Sequence, residues 1–289
     1  MSAALPDNTG HLDQLCGLLD LGTPATRPSG VKGGFHHRMW RLDTSAGRFA
    51  IKQLADDIDL GDTATVERMN ATERVAQHFA DHGIPALSAL PRGRQHLHLL
   101  DGVGYLVYPW TDARACHRNR IEEHHALTVA GLLARIHSSD LCIPELIDLA
   151  PNPLTAERII GLVELARQRN VREGLLLEER LTDLLDVVAL QGPAVAKLDS
   201  NRVISHGDLD HKNVLWASTG DPIIIDWESA RRINPTYELF LEALDWGGIT
   251  ANFETRPFVT FVEAYLDAGG RIVADEIMAV ADAIQATWV

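Results

Sequence analysis

The chain has 289 residues, 46% of them hydrophobic and 23% charged, which suits one large two-lobed unit or two modest domains and argues against long disorder. It carries 40 acidic and 26 basic residues, a formal net charge of −14, the opposite of the field that nonspecific nucleic-acid binding needs. Three scattered cysteines (Cys16, Cys116 and Cys142) without a CxxC argue against a zinc knuckle or a disulfide framework and suggest reduced, mostly buried thiols.

The opening MSAALPDNTGHLDQL has no basic region followed by an apolar stretch, so no signal peptide is expected. No run of 18 apolar residues suggests a membrane span, and the expectation is a cytoplasmic protein, monomer or homodimer. Charge is uneven. Residues 1–108 hold 12 acids and 10 bases, net −2, so 109–289 carry the remaining net −12 and would face a cationic ligand.

Leu12, Leu15, Leu18 and Leu19 recur at helical spacing near the start, and Gly22, Pro24, Pro28 and Gly30 break that helix. A hairpin follows: Val31 and Met39 to Leu42, the turn Thr44-Ser45-Ala46-Gly47, then Phe49-Ala50-Ile51 leading to Lys52. Residues 63–82 read as a helix with Val66, Met69, Val75, Ala76 and Phe79 on its apolar face, stopped by Gly83 and Pro85. Leu97 to Leu100 and Tyr105 to Tyr108 form a second hairpin around Asp101-Gly102, with Pro109-Trp110-Thr111-Asp112 as a connector.

The second half is helix-rich, with helices expected at 122–138, 155–169, 174–190, 237–246, 255–268 and 274–287. A strand–loop–strand unit, RVISHGDLDHKNVLW and then IIIDWESA, interrupts them. Strands early and helices late predict an α+β protein. We expect two lobes, 1–108 and 109–289, the first rich in β-structure and the second mainly helical.

Chemistry concentrates in His206-Gly207-Asp208-Leu209-Asp210-His211-Lys212-Asn213. Asn213 comes five residues after Asp208, and Asp226 follows thirteen residues later, behind the apolar run Ile223-Ile224-Ile225. Asn and Asp oxygens are hard ligands that suit Mg²⁺, and Asp208, placed before the Asn, is free to accept a proton.

The pattern H-G-D-x-x-x-x-N followed by I-I-D resembles the catalytic loop and metal-binding aspartate of the kinase fold. With Gly after the His, it is similar to the aminoglycoside phosphotransferase and choline-kinase branch of small-molecule kinases. The resemblance implies a two-lobed, protein-kinase-like fold. It makes Asp208 the catalytic base, Asn213 and Asp226 the Mg²⁺ ligands, and His206 a structural brace. Ala50-Ile51-Lys52 resembles the strand lysine that pairs with the α- and β-phosphates of ATP or GTP, with Gly33 and Gly34 in the phosphate loop. Glu73 is the preferred helix acid to hold Lys52, with Glu67 as the alternative. Tyr105 to Trp110 resembles the hinge strand whose backbone binds adenine, so Tyr108 and Trp110 are expected beside the nucleotide.

Two departures separate the chain from protein kinases. Asp210 stands where they carry a lysine two residues after the base, and Asp226-Trp227-Glu228 replaces D-F-G with no A-P-E after it. Lys212 is nearby and is a candidate to meet the transferring phosphate. The implied activity is transfer of a γ-phosphoryl group to a hydroxyl of a small cationic molecule, such as an aminoglycoside or a tuberactinomycin-type antibiotic, and hence antibiotic resistance. Candidate acceptor contacts are Glu228, Glu238 and Asp245, with Asp112 and Glu242 behind them and Trp227 and Trp246 as flat surfaces. The alternatives are a metabolic kinase for an amino alcohol, sugar or homoserine-like acceptor, and a nucleotide-binding pseudokinase-like module. A two-metal phosphoesterase is disfavoured, because His36-His37 and His124-His125 have no acids at ligand spacing.

Overall fold

The computed structural model describes residues 9–31, 36–146, 154–249 and 252–287. The chain forms two compact units, neither of them continuous in sequence. The first takes Met1–Arg120, Cys142–Ile147 and His206–Arg231, and the second takes Ile121–Leu141, Asp148–Ser205 and Arg232–Val289.

In the first unit the chain runs through α1 (Thr9–Leu18), β1 (Ser29–Gly30), β2 (Arg38–Thr44), β3 (Gly47–Gln53), α2 (Thr63–Asp81), β4 (His98–Leu100), β5 (Val103–Pro109) and β6 (Arg114–Ala115). It then builds α3 (Glu123–His137), α4 (Ala156–Gln168), α5 (Arg172–Glu179), α6 (Leu181–Leu198) and β7 (Val203–Ser205) in the second unit. It returns to the first for β8 (Val214–Trp216) and β9 (Pro222–Ile224), and ends with β10 (Arg231–Ile233), α7 (Pro235–Trp246), α8 (Thr255–Asp267) and α9 (Ile277–Thr287). An antiparallel sheet early and helices late make this the α+β protein expected.

The main sheet is ordered β1-β2-β3-β5-β4, antiparallel throughout. The β2–β3 hairpin turns on Ser45-Ala46, with Thr44 facing Gly47. The β4–β5 hairpin turns on Asp101 and Gly102, both left-handed (φ 48° and 80°), the backbone that matches the twist of paired strands.

Side chains of a strand alternate between the two faces, and this alternation places the site. Ile51 lies opposite Val107, and both enter the core that α1 covers with Leu12, Leu15 and Cys16. Lys52 lies opposite Leu106, and Ala50 opposite Tyr108. Leu106 and Tyr108 enter the other core, which α2 covers with Val66 and Met69. Because Ile51 is needed in the first core, Lys52 must point to the α2 face. Helix α2 begins where Asp62 accepts the N–H groups of Ala64 and Thr65 and ends before Gly83 (φ 79°), close to the expected 63–82.

In the second unit α6, α7 and α9 pack around Ala194, Leu198, Val280 and Ala283. The single helix expected at 174–190 is two helices, and α6 continues through Pro193 to Leu198. Pro193 removes one N–H from the ladder, but it is exposed, so water can satisfy the carbonyl one turn back. No helix among the described residues is long and apolar enough to cross a membrane. None of the three cysteines is in a disulfide, and only Cys16 is buried, fewer than composition suggests.

A buried polar chain joins three helices of this unit. His137 Nδ1 lies 2.9 Å from the Tyr265 hydroxyl, and His137 Nε2–H donates to Glu238 at 2.8 Å. Burial, helped by the Glu238 charge and opposed by the Arg271 backbone, pushes the Tyr265 phenol up to about 12. Tyr265 therefore supports folding fully below pH 10, its ordinary value, and loses that support as pH rises to about 12. Tyr265→Phe is expected to make the fall in urea stability across that interval shallower, on the order of 2 kcal/mol. An unchanged slope would assign the alkaline loss to other groups.

Candidate active site

The segment expected to be catalytic is held at both ends, by β7 before it and β8 after it. His206 is fully buried; its Nε2–H donates to the Ile225 carbonyl (2.9 Å), and its Nδ1 accepts the Asp208 N–H (3.3 Å). Its ring meets the edge of buried Trp227, which stacks on Phe79 of α2. Trp227 thus joins the loop, the β9 strand end and α2 into one packed body, rather than offering a flat surface to a ligand.

Gly207 has φ +78°, and a Cβ there would come 2.4 Å from the Ser229 carbonyl oxygen and 2.7 Å from Arg231 Nη1. The oxygen is backbone and cannot step aside cheaply. Gly207→Ala is expected to destabilise the protein by at least about 2 kcal/mol, read as a lower urea midpoint.

Beyond Gly207 the loop closes on itself. Asp210 Oδ1 accepts the N–H groups of Lys212 (2.8 Å) and Asn213 (3.2 Å). Lys212 Nζ lies 2.6 Å from Asp210 Oδ2, so its charge is engaged within the loop. Asn213 Nδ2 donates to the Asp208 carbonyl (2.8 Å) and to Asp208 Oδ2 (3.0 Å). The Asn213 carbonyl accepts the Ile225 N–H (2.9 Å), which ties the loop to the strand end carrying Asp226. Asp226 is left-handed (φ 63°, ψ 54°), a conformation that Asp tolerates better than most residues and that often marks functional strain.

Lys52 is 8% exposed at its side chain and donates to Asp226 Oδ1 (2.8 Å) and Glu228 Oε2 (2.9 Å). Burial works against the ammonium charge, but the two carboxylates outweigh it and raise the lysine's affinity for its proton. Glu228 Oε2 also receives His37 Nε2–H at 3.0 Å, and His37 Nδ1 accepts the Ala55 N–H at 3.1 Å. Burial opposes ionisation of Glu228, yet the bonds from His37 and Lys52 hold its carboxyl down at about 2.

The expected Lys52–Glu73 hydrogen bond is not formed. Glu73 is buried, and its two oxygens accept the Tyr108 hydroxyl (2.6 Å) and the Ala89 N–H (2.7 Å). Burial raises its pKa, while Tyr108, Ala89 and the Lys52 charge oppose the rise. Glu67 pairs with Arg74 at 2.7 Å. Tyr108 is buried with its hydroxyl on Glu73, and burial plus that carboxylate push its pKa well up. The Trp110 N–H is taken by the Arg48 carbonyl, so it is not available to adenine; the indole donates to Asp112, and Arg41 lies 5.3 Å above the ring. Gly33 and Gly34 lie outside the described residues.

The expected acceptor contacts fall in different surroundings. Glu228 holds Lys52 and His37. Glu238 is wholly buried on His137 in the second unit, and Glu242 and Trp246 are buried as well. Asp245 is half-buried in the second unit, and Asp112 is exposed beside Arg48. In the sequence His37 is only part of the Gly33-Gly34-Phe35-His36-His37 stretch at the phosphate-loop position, with no partner indicated. Its partner lies 191 residues away, and no local spacing announces that.

The loop suits a hard divalent cation. Among the described residues, nothing donates to Asn213 Oδ1 or Asp226 Oδ2, so an amide oxygen and a carboxylate oxygen remain for a metal. Asp208 Oδ1 is likewise without a donor there.

The fold is protein-kinase-like. It is similar to a spectinomycin phosphotransferase solved with ADP and spectinomycin (15% identity, 96% of this chain and 86% of that one, TM-score 0.65). It is also similar to a macrolide 2'-phosphotransferase of Brachybacterium faecium (15%, 98% and 90%, TM-score 0.61) and to a choline kinase of Streptococcus pneumoniae (16%, 96% and 88%, TM-score 0.61). No curated protein matches the chain in sequence. A family model described as the phosphotransferase enzyme family matches residues 28–280, and the chain belongs to that family of phosphotransferases.

Proposed function

We propose that the protein transfers the γ-phosphoryl group of ATP or GTP to a hydroxyl of a small cationic molecule. The observation that carries this is the gathering of Lys52, Asp208, Asn213 and Asp226, distant in sequence, into one bonded network of the first unit. In this reading residues 1–108 serve the nucleotide and 109–289 supply the catalytic loop and the acceptor side. Lys52 meets the phosphates that stay with the nucleotide. Asn213 and Asp226 hold Mg²⁺, which neutralises phosphate charge when bound. Asp208 orients the acceptor hydroxyl and takes its proton late, as a loose transition state requires.

The net −12 of residues 109–289 favours a cationic acceptor, such as an aminoglycoside or a tuberactinomycin-type antibiotic, and would make resistance the biological outcome. Asp245 remains a candidate acceptor contact. A metabolic amino-alcohol kinase is the second reading, since the same charge attracts an amino alcohol. A Mg²⁺-ATP screen across both acceptor classes, read as the mass gain of one phosphate, separates them. ATP consumption with neither class, but with a neutral sugar, would overturn the cationic assignment.

A further inference from the structure

We propose that His37 is a positioning residue for phosphoryl transfer, fixing through Glu228 the ammonium of Lys52 where nucleotide phosphates are to be met. The proposal rests on the phosphotransferase reading of the site and moves the task expected of Glu73 to a residue two past Asp226.

The His37 ring is anchored on both sides. A backbone N–H can only donate, so the Nδ1 that accepts from Ala55 carries a lone pair. The Nε2–H on the other side of the ring is aimed at Glu228. Ala55 lies just beyond β3, the strand that bears Lys52, so ring and lysine share one support. The adjacent His36 differs: its side chain is 56% exposed and pairs with Asp57, whereas that of His37 is 7% exposed.

One oxygen does the joining. Glu228 Oε2 receives both Lys52 Nζ and His37 Nε2–H, so moving the histidine changes the direction in which the lysine is held. Charge points the same way. Asp226 is one of the two proposed cation ligands, and Glu73 has both oxygens occupied elsewhere. Glu228 is then the carboxylate left to balance Lys52 when a cation occupies the site.

The test is ADP binding by calorimetry, which needs no acceptor, with kinetics once an acceptor is known. His37→Ala is expected to weaken ADP about tenfold, or 1.4 kcal/mol, and to raise the KM for ATP alike while the acceptor KM holds. His37→Gln, whose amide N–H can take the place of Nε2–H, restores most of the affinity. His37→Asn, which can keep the Ala55 contact but is too short for Glu228, does not. In a Glu228→Gln background, His37→Ala adds little. Unchanged ADP affinity in His37→Ala, equal rescue by Asn and Gln, or additive losses with Glu228→Gln would overturn the proposal. Failure of the wild-type chain to bind ADP at all overturns the phosphotransferase reading along with it, whereas wild-type binding with an indifferent His37 sinks this inference alone.

Discussion

Asp208→Ala is expected to lower kcat by about 10²- to 10⁴-fold while changing ADP affinity by no more than about threefold. The carboxylate stands at the end of a braced chain. His206 holds the loop to Ile225, Gly207 lets the backbone pass under Ser229, and Asn213 fixes Asp208 Oδ2. Its other oxygen has no donor among the described residues, as a proton acceptor requires. Partial loss of water around the carboxylate, with Asp210 adding to it, raises its pKa; His206, Lys212 and Asn213 restrain the rise. A raised pKa makes the carboxylate a better base. Activity should therefore be present above that pKa and fall as pH is lowered through it, with the acid limb lying above the ordinary Asp value of 3.8. Near-wild-type turnover in Asp208→Ala, measured by single-turnover transfer, would remove Asp208 from the chemistry.

What the sequence made legible depended on range. Local signals worked where one force acts alone: Asp62 and Gly83 bracket α2, and strand alternation sends Lys52 to the face opposite Ile51. The span from His206 to Asp226 was readable because its network is nearly local, with Asn213 five residues from its main partner. Partners chosen by packing were not readable. Glu73 has the right sequence position for a lysine partner, but burial beside Tyr108 and Ala89 claims both of its oxygens. Glu228 looks like an acid beside a substrate site until folding brings His37 and Lys52 to it. The break between α5 and α6 likewise has no Gly or Pro to announce it; Gly174 lets α5 approach Ala166 of α4, where a Cβ would come within 3.0 Å.

Asp226→Asn is expected to lower kcat by about 10²- to 10⁴-fold with little loss of stability, and the separation of the two effects is the point of the variant. The left-handed backbone at Asp226 (φ 63°) would penalise alanine, whereas asparagine tolerates it nearly as well as aspartate. Asparagine also keeps a side-chain oxygen to receive Lys52, so the bond at 2.8 Å has a substitute. The charge is what disappears. With one fewer carboxylate, Lys52 is balanced by Glu228 alone, and Mg²⁺ would keep only the Asn213 amide oxygen, because the single oxygen of the substituted side chain receives Lys52 and its NH2 cannot ligate a cation. The melting temperature should stay within a few degrees, about the shift of 1 kcal/mol or less in a chain of this size. Mg²⁺ titrations of ADP binding should show the stimulation by the cation reduced at least about tenfold, since a carboxylate ligand contributes charge that an amide does not. If Mg²⁺ enhances ADP binding equally in Asp226→Asn and wild type, Asp226 is not a ligand, and its strained backbone serves only to place an oxygen against Lys52.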